Sequence, residues 1–147
     1  MRALGIDLGS RRIGVALANS EGTLATPYEV VTRSGDRARD HREIAALAEE
    51  TGAETLVVGL PLSLAGAVGA AATSARAEAE ELAAATGLPV EMWDERLTTV
   101  SADRHLLALH LKAPARRRVV DMVAAAVMLQ AWLDHRRLAA SPEDTDR

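Results

Sequence analysis

Apolar positions alternate with small or polar ones from the start of the chain. In Ala3 to Leu8, Leu4, Ile6 and Leu8 fall on one side of an extended strand and Ala3, Gly5 and Asp7 on the other. After Gly9-Ser10 the alternation returns from Arg12 to Ala18, with Ile13, Val15 and Leu17 opposed to Gly14, Ala16 and Ala18, so the two segments are expected to form a hairpin. Asn19 to Gly22 marks a second turn. Thr23 to Thr32 reads as a third strand, and Pro27, which cannot donate to a ladder, suits it to an edge position.

From Asp36 to Glu50 the period changes to that of a helix, with Ile44, Leu47 and Ala48 on its apolar side and Gly52 as its stop. Thr55 to Leu60 is an unbroken apolar run, the mark of an inner strand covered on both faces. Pro61 to Gly69 is a loop of small residues, Ala70 to Thr86 an alanine-rich helix ended by Gly87, and Val90 to Trp93 a last short strand. Thr98 or Thr99 can cap a further helix to about His110, and beyond Lys112 to Ala115 a final helix is expected to about Arg137. The order βββαβαβαα is that of an α/β protein. At 147 residues the chain is one domain, taken as 1–139, followed by a polar tail, 140–147, that is expected to be disordered.

Composition narrows the function classes. With 48% hydrophobic and 26% charged residues, and no apolar run of bilayer length, the chain reads as globular rather than membrane-bound, and no export signal is legible at its start. A cytoplasmic location is expected. There is no cysteine, so a metal would bind through oxygen or imidazole. The aromatic residues are Tyr28, Trp93 and Trp132, too few for a base-stacking platform. The net charge of −4 argues against binding to nucleic acid by bulk charge, but does not exclude a local basic patch.

Three acidic positions stand out. Asp7 lies on a strand among small neighbours, where a buried carboxylate is costly unless paired, hydrogen-bonded or metal-bound. Asp94 and Glu95 close the last strand; strand alternation sends them to opposite sides, so only one can join Asp7. Asp121 interrupts a helix that is polar only there and at Gln130 between Val119 and Leu133, and it lies too far from Pro114 for the helix N-terminus to account for it. A strand Asp, a strand-end carboxylate and a helix Asp suit Mg²⁺ or Mn²⁺, which prefer oxygen ligands and can support phosphodiester cleavage. The bland alternatives are a turn-capping Asp7, a surface pair of Asp94 with Arg96, and an Asp121 near a helix start.

GIDLGSRRIGVA (Gly5 to Ala16), VVGLPLSLAG (Val57 to Gly66), DERLTT (Asp94 to Thr99) and VVDMVAAAVML (Val119 to Leu129), in this order, resemble the YqgF/RuvX family of ribonuclease H-like bacterial nucleases. The resemblance covers nearly the whole chain. It implies a five-stranded mixed sheet with helices on both faces, and Asp7, Glu95 and Asp121 as the catalytic, metal-holding carboxylates. Proteins of this kind are described as nucleases that process the 5′ end of the small-subunit rRNA precursor and as Holliday junction resolvases. The expected partner is therefore nucleic acid, either an rRNA precursor or branched DNA, and a resolvase would act as a homodimer. Phosphate contacts are expected from Arg11, Arg12, Arg96, Lys112, Arg116, Arg117 and Arg118, because arginine accompanies each carboxylate and the segment before Asp121 reverses the chain's acidic total. GIDLG also occurs in sugar kinases and actin-like ATPases, but those use two copies of this fold and this chain holds one. A non-catalytic nucleic-acid-binding protein that kept the fold is the remaining alternative.

Overall fold

The computed structural model describes residues 2–61, 69–95 and 113–145. Along them run β1 (Ala3–Leu8), β2 (Arg12–Ala18), β3 (Ala25–Thr32), α1 (Arg37–Thr51), β4 (Thr55–Leu60), α2 (Ala70–Thr86), β5 (Val90–Asp94) and α3 (Ala113–Thr145). The helix expected from Thr98 or Thr99 to His110 lies outside the described residues.

The strands form one mixed sheet in the order β3-β2-β1-β4-β5. The first three strands are an antiparallel meander, and β4 and β5 continue the sheet parallel to β1. Strand β3 is an edge, as Pro27 requires, and the register shifts between Val15 and Ala16, where Pro27 pairs. Strand β4 is an inner strand buried at every position, which explains its unbroken apolar run.

The period-two pattern sorts the core into two layers. Leu4, Ile6, Ile13, Val15 and Val58 pack with Ile44 and Ala48 of α1 and Ala79 and Leu82 of α2. On the opposite face Ala3, Ala16, Ala18, Val57 and Trp93 pack with Ala125, Met128, Leu129 and Trp132 of α3. The small residues of this second face let the helix backbone come close. A Cβ on Gly14 would stand 2.1 Å from the Asp121 carbonyl oxygen, and one on Gly5 would stand 2.8 Å from Leu129 Cβ.

Gln130, the other polar residue of the apolar helix, ties α3 to the edge strand. Its Oε1 accepts from Ala25 N at 2.9 Å and its Nε2 donates to Thr23 O at 3.0 Å, so the start of β3 is not left with an unmet donor. Helix α1 starts at an Asp36 cap whose carboxylate accepts from Arg39 N, and both α1 and α2 stop at left-handed glycines, Gly52 and Gly87. Helix α3 runs to Thr145, past the Arg137 expected from the buried pattern and into the segment expected as a tail. Leu138, Ala139 and Ala140 are good helix formers, and the helical backbone continues past them through Ser141-Pro142.

This topology gathers one end of every layer. Strands β1, β3, β4 and β5 all finish at the same edge of the sheet, and α1 and α2 begin there. Helix α3 meets Gly14, near the start of β2, before it meets Gly5, near the start of β1, so it too descends from that edge. In open α/β sheets such a carboxyl edge is where ligands bind.

Candidate active site

Asp7 closes β1 at this edge and is only 8% exposed. It pairs with Gly14 of β2, and because Ile6 pairs with Val58, Asp7 and Gly59 follow side by side on β1 and β4. Glu95 comes from the residue just past β5 and turns its carboxylate over Gly59. A Cβ at position 59 would stand 2.7 Å from Glu95 Oε1, so the glycine makes the place that the carboxylate fills. Asp7 and Glu95 both line a cleft of about 550 Å³ with Gly9, Ser10, Arg33 and Arg37. Asp94 is not among its lining residues, so of the two strand-end acids it is Glu95 that shares the cleft with Asp7.

Asp121 arrives from the helix layer. Its backbone carbonyl lies over Gly14, the cross-strand partner of Asp7, and its Oδ2 accepts from Arg12 Nε at 2.7 Å. Among the described residues no three His, Asp or Glu side chains gather closely enough to hold one ion. The three expected carboxylates therefore share an edge, with Asp7 and Glu95 in the cleft and Asp121 engaged by Arg12.

The arginines divide in a similar way. Arg11, which is exposed, and Arg12 line a second cleft of about 600 Å³ with Ser10, Arg33, Gly35 and Arg37. Ser10, Arg33 and Arg37 belong to both clefts, so the two adjoin. Arg12 spends its Nε on Asp121 and faces the second cleft as half of an ion pair. Arg116, Arg117 and Arg118 lie in the first turns of α3. Arg96 and Lys112 lie outside the described residues.

Sequence reasoning missed Arg33, Arg37, His41 and Glu78. Glu78 sits on α2 with 3% exposure, and Arg33 NH1 and NH2 donate to its Oε2 and Oε1 at 2.9 Å each. His41 Nε2, on α1 and equally buried, lies 2.8 Å from the same Oε2. Burial by itself pushes the Glu78 carboxyl up; the hydrogen bonds from Arg33 and His41, with the charges of Arg33 and Arg37, outweigh it and hold the group below its ordinary range. No motif marks this cluster, since its members come from three separate elements. The one signal was His41 and Glu78 standing on the buried stripes of α1 and α2.

Strand order and edge carboxylates define a ribonuclease H-like α/β protein. A structure of T. thermophilus RuvC in complex with Holliday junction substrate superposes with a TM-score of 0.59 over 92% of this chain and 96% of that one, at 18% identity, which shows the common fold. The model of the family described as "RuvX: Holliday junction resolvase" matches residues 1–135, and the chain belongs to this family. A relative from Leifsonia xyli, named "Putative pre-16S rRNA nuclease", is 48% identical over 139 residues, covering 95% of this chain and 89% of its own. One of the same name from Anaeromyxobacter is 52% identical over 136 residues, covering 92% and 98%.

Proposed function

We propose that this chain is a divalent-metal-dependent phosphodiester nuclease that processes the 5′ end of pre-16S rRNA. The observation that carries the reading is the meeting of Asp7 and Glu95, from the ends of two different strands, in one cleft that opens beside a second lined by arginines. The names of the relatives support the substrate.

The donor set fits a hard cation. Asp7 and Glu95 offer carboxylate oxygens, and the bare backbone at Gly59 leaves room for the Glu95 head. Asp7 and Glu95 would hold Mg²⁺ or Mn²⁺, with Asp121 the third acidic group at the edge, and the ion would supply an activated water and a counter-charge for the leaving oxygen. The rest falls to the chain's own groups. Arg11, Arg12 and Arg37 line the second cleft, where guanidinium forks suit backbone phosphates. The starts of α1 and α2 turn their positive dipole ends toward the same edge. A strand held there presents its next phosphodiester to the Asp7 cleft. The arginine pair also keeps Asp121 from adding an uncompensated negative charge where a phosphate must approach. This reading includes a cytoplasmic location, where rRNA is processed. Among the described residues no helix is long and apolar enough to cross a membrane.

The second reading, Holliday junction resolvase, is favoured by the family description. It requires a homodimer cutting two strands symmetrically. Purified protein with Mg²⁺ or Mn²⁺, offered a 5′-extended small-subunit rRNA precursor and a four-way DNA junction side by side, decides between them. We expect the precursor to be cut and the junction to be left whole. Symmetrical cuts in the junction by a sedimenting dimer would establish the resolvase instead, and binding of both substrates with cleavage of neither would leave a non-catalytic binding protein.

A further inference from the structure

We propose that Glu78 and His41 act through Arg33 as a positioning network that fixes the turn behind Asp7; this rests on the nuclease reading of the Asp7 cleft. Arg33 leaves β3 at the carboxyl edge, and its guanidinium is held from both ends. NH1 and NH2 donate to the two oxygens of Glu78, while Nε donates to the Gly9 carbonyl at 2.7 Å. The Arg33 backbone N–H donates to the Arg11 carbonyl at 2.9 Å. One residue therefore grips the β1–β2 turn at two carbonyls, the nearer of them two positions beyond Asp7.

The turn has little slack of its own. Gly9 N donates to the Asp7 carbonyl and to the Arg12 carbonyl, and a Cβ at Gly9 would stand 2.4 Å from that Arg12 oxygen. Fixing the Gly9 carbonyl consequently fixes where β1 ends and where the Asp7 side chain leaves the backbone. Behind Arg33, the Glu78 carboxylate cannot turn away, because His41 occupies its Oε2 from α1. The network thus ties β3, α1 and α2 to the catalytic edge through directional bonds.

An apolar trio would fill the same space at no desolvation cost, and buried ion pairs are often no more stable than such replacements. What a bidentate guanidinium adds is geometry. Arg33 and Glu78 line the Asp7 cleft themselves, so the geometry is set at the site.

The test uses Arg33→Lys, which keeps the charge and loses the fork, Glu78→Gln, which keeps the shape, and the double variant Glu78→Leu/His41→Leu, which refills the core with apolar side chains. Three readouts are taken on the full chain: hydrogen exchange at the amides of Gly9 to Arg12, kcat and KM for cleavage of the rRNA precursor with Mg²⁺, and thermal stability. In Arg33→Lys and the double variant we expect exchange at the turn to speed up and kcat to fall by on the order of 100-fold, the scale of a small misplacement of reacting groups, with KM within about twofold. Glu78→Gln, which keeps one acceptor oxygen for Arg33 and turns an NH2 donor to the other position, should fall between the parent and Arg33→Lys in both exchange and kcat. Unchanged exchange and kcat in a folded Arg33→Lys or double variant would overturn the proposal. A rise in KM alone would also overturn it, by making Arg33 a phosphate contact. A parent protein that cleaves nothing would sink the nuclease reading, while the exchange measurement would still decide whether the network holds the turn.

Discussion

Glu78 is a carboxylate buried between two helices, and its charge survives there because Arg33 and His41 meet both of its oxygens. Its carboxyl is held below the ordinary value of 4.5, so the sign of its pH effect follows. The stabilisation is fully present above that ordinary value and is lost as pH falls through the lower, folded one. Chemical denaturation of the parent and of Glu78→Gln should therefore show a gap at neutral pH that closes on acidification below 4.5. Glu78→Ala at neutral pH should cost about 1–3 kcal/mol, since it leaves the buried His41 without its partner while the half-buried Arg33 keeps the Gly9 carbonyl and reaches solvent. Little of this was legible in the sequence, whose one signal was the place of His41 and Glu78 on the buried stripes of their helices. Asp7, Glu95 and Asp121 stood out because each interrupts or ends an apolar pattern, whereas Arg33, His41 and Glu78 sit among ordinary charged residues. Their burial depends on pairing across 45 and 37 positions of chain. The choice of Glu95 over Asp94 was likewise open in the strand pattern alone. In the fold the Glu95 carboxylate lies over Gly59 on a neighbouring strand, a relation no local pattern contains.

At the scale of elements, the close approach of α3 to the sheet depends on residues with no side chain. Gly14→Ala would place a carbon 2.1 Å from the Asp121 carbonyl oxygen, and backbone cannot yield as a side-chain tip can. The expected cost is about 1–3 kcal/mol, as for other overpacked sites, and it appears as a lowered Tm. The same substitution should lift Asp121 away from Arg12 and weaken cleavage beyond what the reduced stability explains. The first turns of α3 carry a different prediction. Replacing Arg116, Arg117 and Arg118 by Ala should weaken binding of the rRNA precursor and flatten its salt dependence, by roughly one unit of slope for each phosphate that is no longer neutralised. A variant that binds like the parent at every salt concentration would move the phosphate-binding role to Arg11, Arg12 and Arg37. Most elements were legible, because alternation, glycine stops and Pro27 each have a local cause. The end of α3 was not, because Ser141-Pro142 reads as a stop and the helical backbone runs through it to Thr145.

For the whole molecule, an acidic chain with few aromatic residues gathers its candidate site, among the described residues, at one edge of the sheet. The parallel strands deliver Asp7 and Glu95 there, the helix starts deliver positive dipole ends, and the arginines line the adjoining cleft. The sequence could suggest that the carboxylates converge, but not that Arg12 would claim Asp121. That pairing arises only when α3 settles on Gly14.

Cleavage at the Asp7 and Glu95 cleft is the central claim, and the most direct measurement is single-turnover cleavage of the rRNA precursor by the parent, Asp7→Asn and Glu95→Gln, with precursor binding measured on the same preparations. Both substitutions keep side-chain size and remove one charge from the metal donors. The predicted result is Mg²⁺-dependent cleavage by the parent, abolished by chelator, and a fall on the order of 100-fold or more in each variant, with binding unchanged or tighter because a negative charge beside the phosphate is gone. Cleavage that persists at the parent's rate in folded Asp7→Asn and Glu95→Gln would contradict the claim and place the chemistry at another site.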